Sequence, residues 1–178
     1  MTASTDHAAP RVLYLVVSAA PPAQRIGELV SAIMDLGWTV CVIPTPRAAG
    51  WLDSAALAEQ TGHPVRHEHR RSGDGRALPG ASAVAVVPAT FNTINKWSAG
   101  TSDNFALGIL NEAVGLRLPV LVVPYAKPSL AAHPAFSDSL ARLSRWGIRL
   151  LPNEIIRGDH PSGIGFNWRP VITAMTNL

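Results

Sequence analysis

Short, nearly continuous apolar runs recur along the chain, at residues 11–17, 39–43, 83–87 and 119–124. Strands that alternate apolar and polar positions have one wet face; runs without alternation are strands covered on both faces, as in a parallel sheet. Between the runs the apolar spacing turns helical. Ile26, Leu29, Val30, Ile33 and Met34 mark a helix over residues 23–36, with Gly37 as its stop. Pro21-Pro22 closes the first strand and opens this helix. Further helices are predicted over residues 51–60, from about Thr93, over 136–146 and over 168–176. Another, capped by Ser102-Asp103-Asn104, runs to about Val114 with Phe105, Leu107, Ile109, Leu110 and Ala113 apolar. Residues 63–67 read as a brief edge strand and 148–151 as a final strand, while 68–80 and 125–133 read as loops. Strand, helix and strand in succession make βαβ units, hence an α/β fold with a mostly parallel sheet in three layers.

Composition narrows what this fold can be. The 178 residues suffice for one well-buried core, read as a single domain over 1–178 with residues 1–10 flexible. Apolar residues make up 47% and charged residues only 15%, so the expected chain is compact, with some apolar surface left for subunit contacts. A net charge of +3 without basic and aromatic residues interleaved gives no footing for nucleic acid. Cys41 is the only cysteine and sits in an apolar run, which predicts a buried, inert thiol in a reducing compartment. No signal core and no membrane-spanning run is present, so the expectation is a cytoplasmic protein without membrane contact.

The chain is organised around residues 83–110. Its central run breaks at Pro88 and passes through Ala89, Thr90, Asn92 and Thr93 before turning helical. In an open α/β sheet the carboxyl ends of the strands are where ligands bind. Ser18 follows the first strand and Thr45 the second, so three hydroxyls, those of Ser18, Thr45 and Thr90, are expected on one sheet edge. Small residues and short hydrogen-bonding groups ahead of a helix suit an anion or a polar heterocycle. The alternative is an ordinary strand-to-helix loop with Asn92 or Thr93 as N-cap.

Other motifs carry less. Gly73-Asp74-Gly75 and Gly163-Ile164-Gly165 follow no opening strand and lack a third glycine, so the dinucleotide fingerprint is absent. His67-Glu68-His69, with His63 nearby, has no identifiable third ligand for a metal and reads as a solvated loop. No Gly-x-Ser-x-Gly elbow occurs. Trp51, Trp97 and Trp168 read as core or interface packing.

The segment Pro88-Ala89-Thr90-Phe91-Asn92-Thr93, continued by Ile94-Asn95-Lys96-Trp97, Ala99-Gly100 and Ser102-Asp103-Asn104, resembles the flavin-site motif of the homo-oligomeric flavin-containing cysteine decarboxylases. This family includes phosphopantothenoylcysteine decarboxylases and peptidyl-cysteine decarboxylases, and the resemblance runs from the first strand to Gly165. It implies a Rossmann-like, doubly wound domain that binds FMN between subunits of a homo-oligomer, a trimer or dodecamer. Ser18, Ala19, Thr45 and the Thr90 region would lie near phosphate, Pro88, Ala89, Asn92 and Thr93 against the flavin, and Ser102 and Asp103 in the second motif element.

The departures from the family are specific. The family's catalytic histidine falls on Asp74 when counted back from Pro88 without gaps, or on His69 if the glycine-rich loop is an insertion. The substrate-orienting asparagine of the P-x-M-N signature is replaced by Lys127, in Pro124-Tyr125-Ala126-Lys127. No cysteine occurs over residues 151–163. Oxidation of a cysteine side chain requires a base as hydride leaves; an aspartate with an unperturbed pKa near about 4 is a weaker one than imidazole. Either Asp74 stands in for the histidine, or His67 or His69 reaches the flavin, or the base is absent. Two function classes follow: an FMN-dependent oxidoreductase or decarboxylase-like tailoring enzyme for a cysteine-derived small molecule or peptide or another small acidic substrate, and a non-catalytic FMN-binding or regulatory subunit. A flavin prenyltransferase is disfavoured, because Ser18-Ala19-Ala20-Pro21-Pro22 lacks the glycine pattern of that group.

Overall fold

A computed structural model describes residues 11–68, 77–158 and 165–178. Strands β1 (Val12–Val17), β2 (Thr39–Pro44), β3 (Ala83–Ala89), β4 (Val120–Pro124) and β5 (Arg149–Leu150) form one sheet in the order β2-β1-β3-β4-β5. Every pairing in it is parallel. The eight helices of the described residues are α1 (Ile26–Asp35), α2 (Pro46–Ala49), α3 (Ser54–Thr61), α4 (Phe91–Ser98), α5 (Phe105–Gly115), α6 (Pro128–Ala131), α7 (Pro134–Arg145) and α8 (Arg169–Met175).

The period-two alternation of strand side chains divides the core in two. Leu13, Leu15 and Val17 of β1, with Ala85 and Val87 of β3, pack against Ile26, Leu29 and Ile33 of α1 and Val171 and Met175 of α8. On the opposite face, Val16, Val84, Val86 and Val122 meet Ile94 and Trp97 of α4, Leu107 and Leu110 of α5, and Phe136 and Leu143 of α7. Both strand faces are thus buried, which is why the runs show no alternation, and the architecture is the three-layered, doubly wound sandwich expected. Cys41 is wholly buried on β2, and burial pushes its thiol up to about 11, so it stays protonated and unreactive at neutral pH.

Several boundaries differ from expectation for local reasons. The central strand continues through Pro88 to Ala89, because the register with β4 shifts between Val86 and Ala89. At such a bulge a residue without an N–H is tolerated. Helix α4 starts at Phe91, and its N-cap is Thr90 rather than Asn92 or Thr93. The first residues after Pro21 form a 3-10 turn, Pro21–Arg25, before α1 begins. Residues 63–67 are not a strand: a single backbone bond, from Arg66 to the Val42 carbonyl, approaches the sheet, and Pro64 has no N–H to add a second. The loop after β4 contains α6, begun by Pro128.

Candidate functional site

The strand order reverses direction between β1 and β3, and a crevice opens there beyond the carboxyl ends, the general ligand position of open α/β sheets. Backbone bonds belt this edge together. Thr45 N donates to Val17 O (2.8 Å), Ser18 N to Pro88 O (3.1 Å) and Tyr125 N to Ala89 O (2.8 Å). Pro88 and Ala89 are therefore buried ties between strand ends and do not line the crevice, which opens into a cavity of about 970 Å³.

The hydroxyls converge as a chain. Ser18 Oγ lies 2.9 Å from Thr93 Oγ1, which lies 3.1 Å from Thr90 Oγ1. Ser18 is 1% exposed, and its hydroxyl is satisfied by Thr93. Thr90 caps α4 by accepting from Thr93 N, and the amino end of that helix, with its partial positive charge, opens on the cavity. Thr45 lines the same cavity but its hydroxyl caps α2, accepting from Ala48 N at 3.3 Å. Ala19, Thr90, Asn92, Thr93 and Lys127 are all in the wall. Asn92 is exposed and its amide has no partner among the described residues.

Ser102 and Asp103 act from outside the wall. Ser102 Oγ accepts from Asn111 Nδ2 (2.7 Å), and Asp103 pairs with Lys96 and accepts from Asn104 Nδ2 (2.9 Å). The Lys96 hydrogen bond holds the Asp103 carboxyl below its usual range. Asp103 thereby orients Lys96 and Asn104, both of which do line the cavity, whereas Ser102 ties down Asn111. Asp74 and His69 lie outside the described residues, and so does most of the Gly163 loop. His67 is described; it faces Glu68 at 3.9 Å and is not in the wall.

Sequence reasoning missed much of the wall's charge. Arg47, Lys96, Lys127 and Arg157 line the cavity against one carboxylate, Glu154. Lys96 and Arg157 have acidic partners, Asp103 and Glu154; Arg47 and Lys127 have none among the described residues. Trp51, expected in a core or interface, is 40% exposed and forms part of the rim, with Phe91, Tyr125 and Leu130 as further apolar wall. Phe91 is held by stacking on Phe136 at 5.8 Å. The cavity thus combines apolar walls, a hydroxyl floor and an excess of positive charge, which suits a flat heterocycle carrying a phosphate or carboxylate. Among the described residues no group of three His, Cys, Asp or Glu is placed to hold a metal, and no helix is long and apolar enough to cross a membrane.

Comparison with known proteins shows the fold and the family. The bifunctional coenzyme A biosynthesis protein CoaBC of Mycolicibacterium smegmatis is 29% identical over 136 residues, 72% of this chain and 31% of that protein. The chain therefore spans about a third of the length of this curated relative. The fold is that of the FMN-dependent cysteine decarboxylase SpaF (TM-score 0.71, 15% identity, 95% of this chain and 97% of that one). It is equally that of a mutant PPC decarboxylase complexed with pantothenoylaminoethenethiol (TM-score 0.73, 19% identity, 93% and 96% covered). The model of the Flavoprotein family matches residues 1–177, so the protein belongs to the Flavoprotein family.

Proposed function

We propose that the chain binds FMN at the switch-point cavity and acts as an oxidoreductase or decarboxylase-like tailoring enzyme on a cysteine-derived or small acidic substrate. The observation that carries this reading is the Ser18–Thr93–Thr90 hydroxyl chain beneath a cationic, apolar-walled cavity. The residues present fit the cofactor: a cavity of about 970 Å³ is at the upper end of small-molecule sites. Thr45 and Arg47 supply a hydroxyl and a cation for a phosphate, while Thr90, Asn92 and Thr93 supply polar contacts for a heterocycle. FMN, when bound, supplies a two-electron acceptor.

The chain's own contribution is binding, orientation and proton handling. Lys127 places a cation where a substrate carboxylate would be oriented. An ion pair there stabilises the ionised ground state and so opposes loss of CO2. The second reading, a binding subunit without turnover, has one observation in its favour. Among the described residues no histidine lines the cavity, and the one carboxylate that does, Glu154, already accepts from Arg157. On the enzyme reading the base comes from outside the described residues, with Asp74 and His69 the candidates that the family resemblance offers. Anaerobic incubation of the FMN-loaded protein with cysteine-terminated peptides and small thiol acids separates the two. The enzyme reading expects bleaching of the flavin band, lost in Asp74→Asn or His69→Ala; an unbleached flavin with every thiol and acid leaves the binding subunit.

We also propose a homo-oligomer, a trimer or dodecamer. Trp51 and Trp146, 40% and 41% exposed, and Leu116, 70% exposed, are apolar surface that a second copy would cover, and Trp51 lies on the cavity rim. Light scattering on the FMN-loaded protein is expected to give the mass of a trimer or a multiple of it; a monomer at all concentrations contradicts the proposal.

A further inference from the structure

We propose that the outward face of α5 is the surface on which copies of this chain pack against one another, with Glu112 and Arg117 paired between copies. The proposal rests on the homo-oligomer reading above and names the surface that makes the contact.

The other long helices show how this chain treats water. Helix α1 turns Glu28, Ser31 and Asp35 outward, and α7 turns Asp138, Arg142 and Arg145 outward. Helix α5 does not follow them. Its sequence, FALGILNEAVG, has only Asn111 and Glu112 as polar residues. Ala106, Leu107, Leu110 and Ala113 are buried in the core beneath it and account for one face. Phe105, Ile109, Glu112 and the C-cap Leu116, spaced by four, three and four residues, share the opposite face. Phe105 and Ile109 are half-buried, while Glu112 and Leu116 are exposed. A helix apolar on both faces is one that is covered on both, and this chain leaves the second open.

Gly115, beside Leu116, points the same way. Nothing lies within 4 Å of where its Cβ would stand, and its φ is outside the left-handed region. Neither packing nor backbone geometry within the chain therefore calls for glycine. Glycine weakens a helix relative to alanine, and what it offers in return is room for another backbone to come close.

Charge decides the occupant. Glu112 and Arg117 are both exposed, and neither has an ion-pair partner among the described residues. One acid and one base at the same end of α5 leave no net charge to attract an acidic or a basic partner. They do complement the same pair on another copy, the property that a contact between identical chains requires. The backbone fixes where Arg117 leaves the helix. Its φ is 55°, its N–H donates to Val114 O (3.1 Å), and Leu118 N donates to Ala113 O (3.0 Å). The amino end of α5 adds a link to the site: the N-cap Asn104 and Leu107 are in the cavity wall, so a copy seated along α5 stands beside the cavity.

The test is sedimentation equilibrium on the full chain, with and without FMN, with circular dichroism to show that each variant is folded. The three residues changed are exposed, Leu116 by 70%, so the variants should fold. Wild type is expected to be a homo-oligomer. Leu116→Asp, which sets a charge in the middle of the contact, should weaken association by about a hundredfold or more, so that a smaller species prevails at micromolar concentration. Glu112→Arg and Arg117→Glu each place like charges opposite one another and should weaken it by about tenfold, while the exchanged pair, E112R with R117E, should return to within about threefold of wild type. An oligomer whose mass Leu116→Asp leaves unchanged, or an exchanged pair that recovers nothing the single changes lost, overturns the proposal and leaves the homo-oligomer reading standing. A wild type that is monomeric at all concentrations overturns both.

Discussion

Thr93→Val is expected to weaken FMN binding by about tenfold to a hundredfold and to cost about 1–3 kcal/mol of stability, the usual loss when a buried polar partner is stranded. Valine keeps the shape of threonine and removes only the hydroxyl, so packing is not at issue. That hydroxyl is the middle link between Ser18 Oγ and Thr90 Oγ1. Without it Ser18 Oγ, in a residue 1% exposed, has no partner within the floor and little access to water. Thr90 keeps its bond from Thr93 N but becomes free to rotate, so the polar floor loses its arrangement even though the helix cap survives. Thr93→Ser restores the oxygen and should recover most of the affinity. Equilibrium titration with FMN, paired with urea unfolding of each variant, checks both parts. Wild-type affinity in Thr93→Val would remove the hydroxyl chain from the binding account.

Trp97→Ala is expected to be the more destructive change, at about 3–5 kcal/mol by urea unfolding. Natural domains have a total of about 5–15 kcal/mol, so this is a large fraction. Trp97 is wholly buried among Ile94, Leu107, Leu110 and Phe136, and its removal opens a void beneath α4. That helix places Thr93 and Lys96 at the cavity on one face and Ile94 and Trp97 in the core on the other. Flavin affinity should therefore fall with stability. The indole Nε1 is buried without a hydrogen-bond partner among the described residues, so Trp97→Phe, which keeps most of the ring and deletes the stranded donor, should cost less than about 1.5 kcal/mol. A similar cost for both variants would mean that the ring's volume is not what supports α4.

Much of the fold was legible because a parallel sheet buried on both faces leaves an unbroken apolar run for each strand, and Gly37 and Asn104 punctuate the helices beside them. Where the reading slipped, local chemistry had a tertiary escape. Pro88 stays in β3 because a bulge absorbs its missing donor, and residues 63–67 fail to pair because Pro64 has none to give. The hydroxyl half of the site was legible too, since Ser18, Thr45 and Thr90 each follow a strand, and parallel strands end on one edge. The electrostatic half was not. Arg157 reaches the wall from a turn after β5, and its place depends on Asn153 meeting Ala126 across 27 positions, a contact with no periodic signature. Lys96 was within the recognised motif, but its orientation depends on Asp103, seven residues away across the turn between α4 and α5. Trp51, read as core or interface packing, is not in the core of the single chain but 40% exposed beside the cavity.

The central claim is that the switch-point cavity is a flavin site, and an FMN titration followed by flavin fluorescence tests it most directly. The expected result is saturable binding of one FMN per chain at micromolar concentration or below, weakened in Asn92→Asp, where a free amide in the wall becomes a carboxylate beside a bound anion. Colourless protein that leaves FMN fluorescence unchanged at about 100 µM, a concentration at which contacts worth only about 5–6 kcal/mol in total would already register, contradicts it.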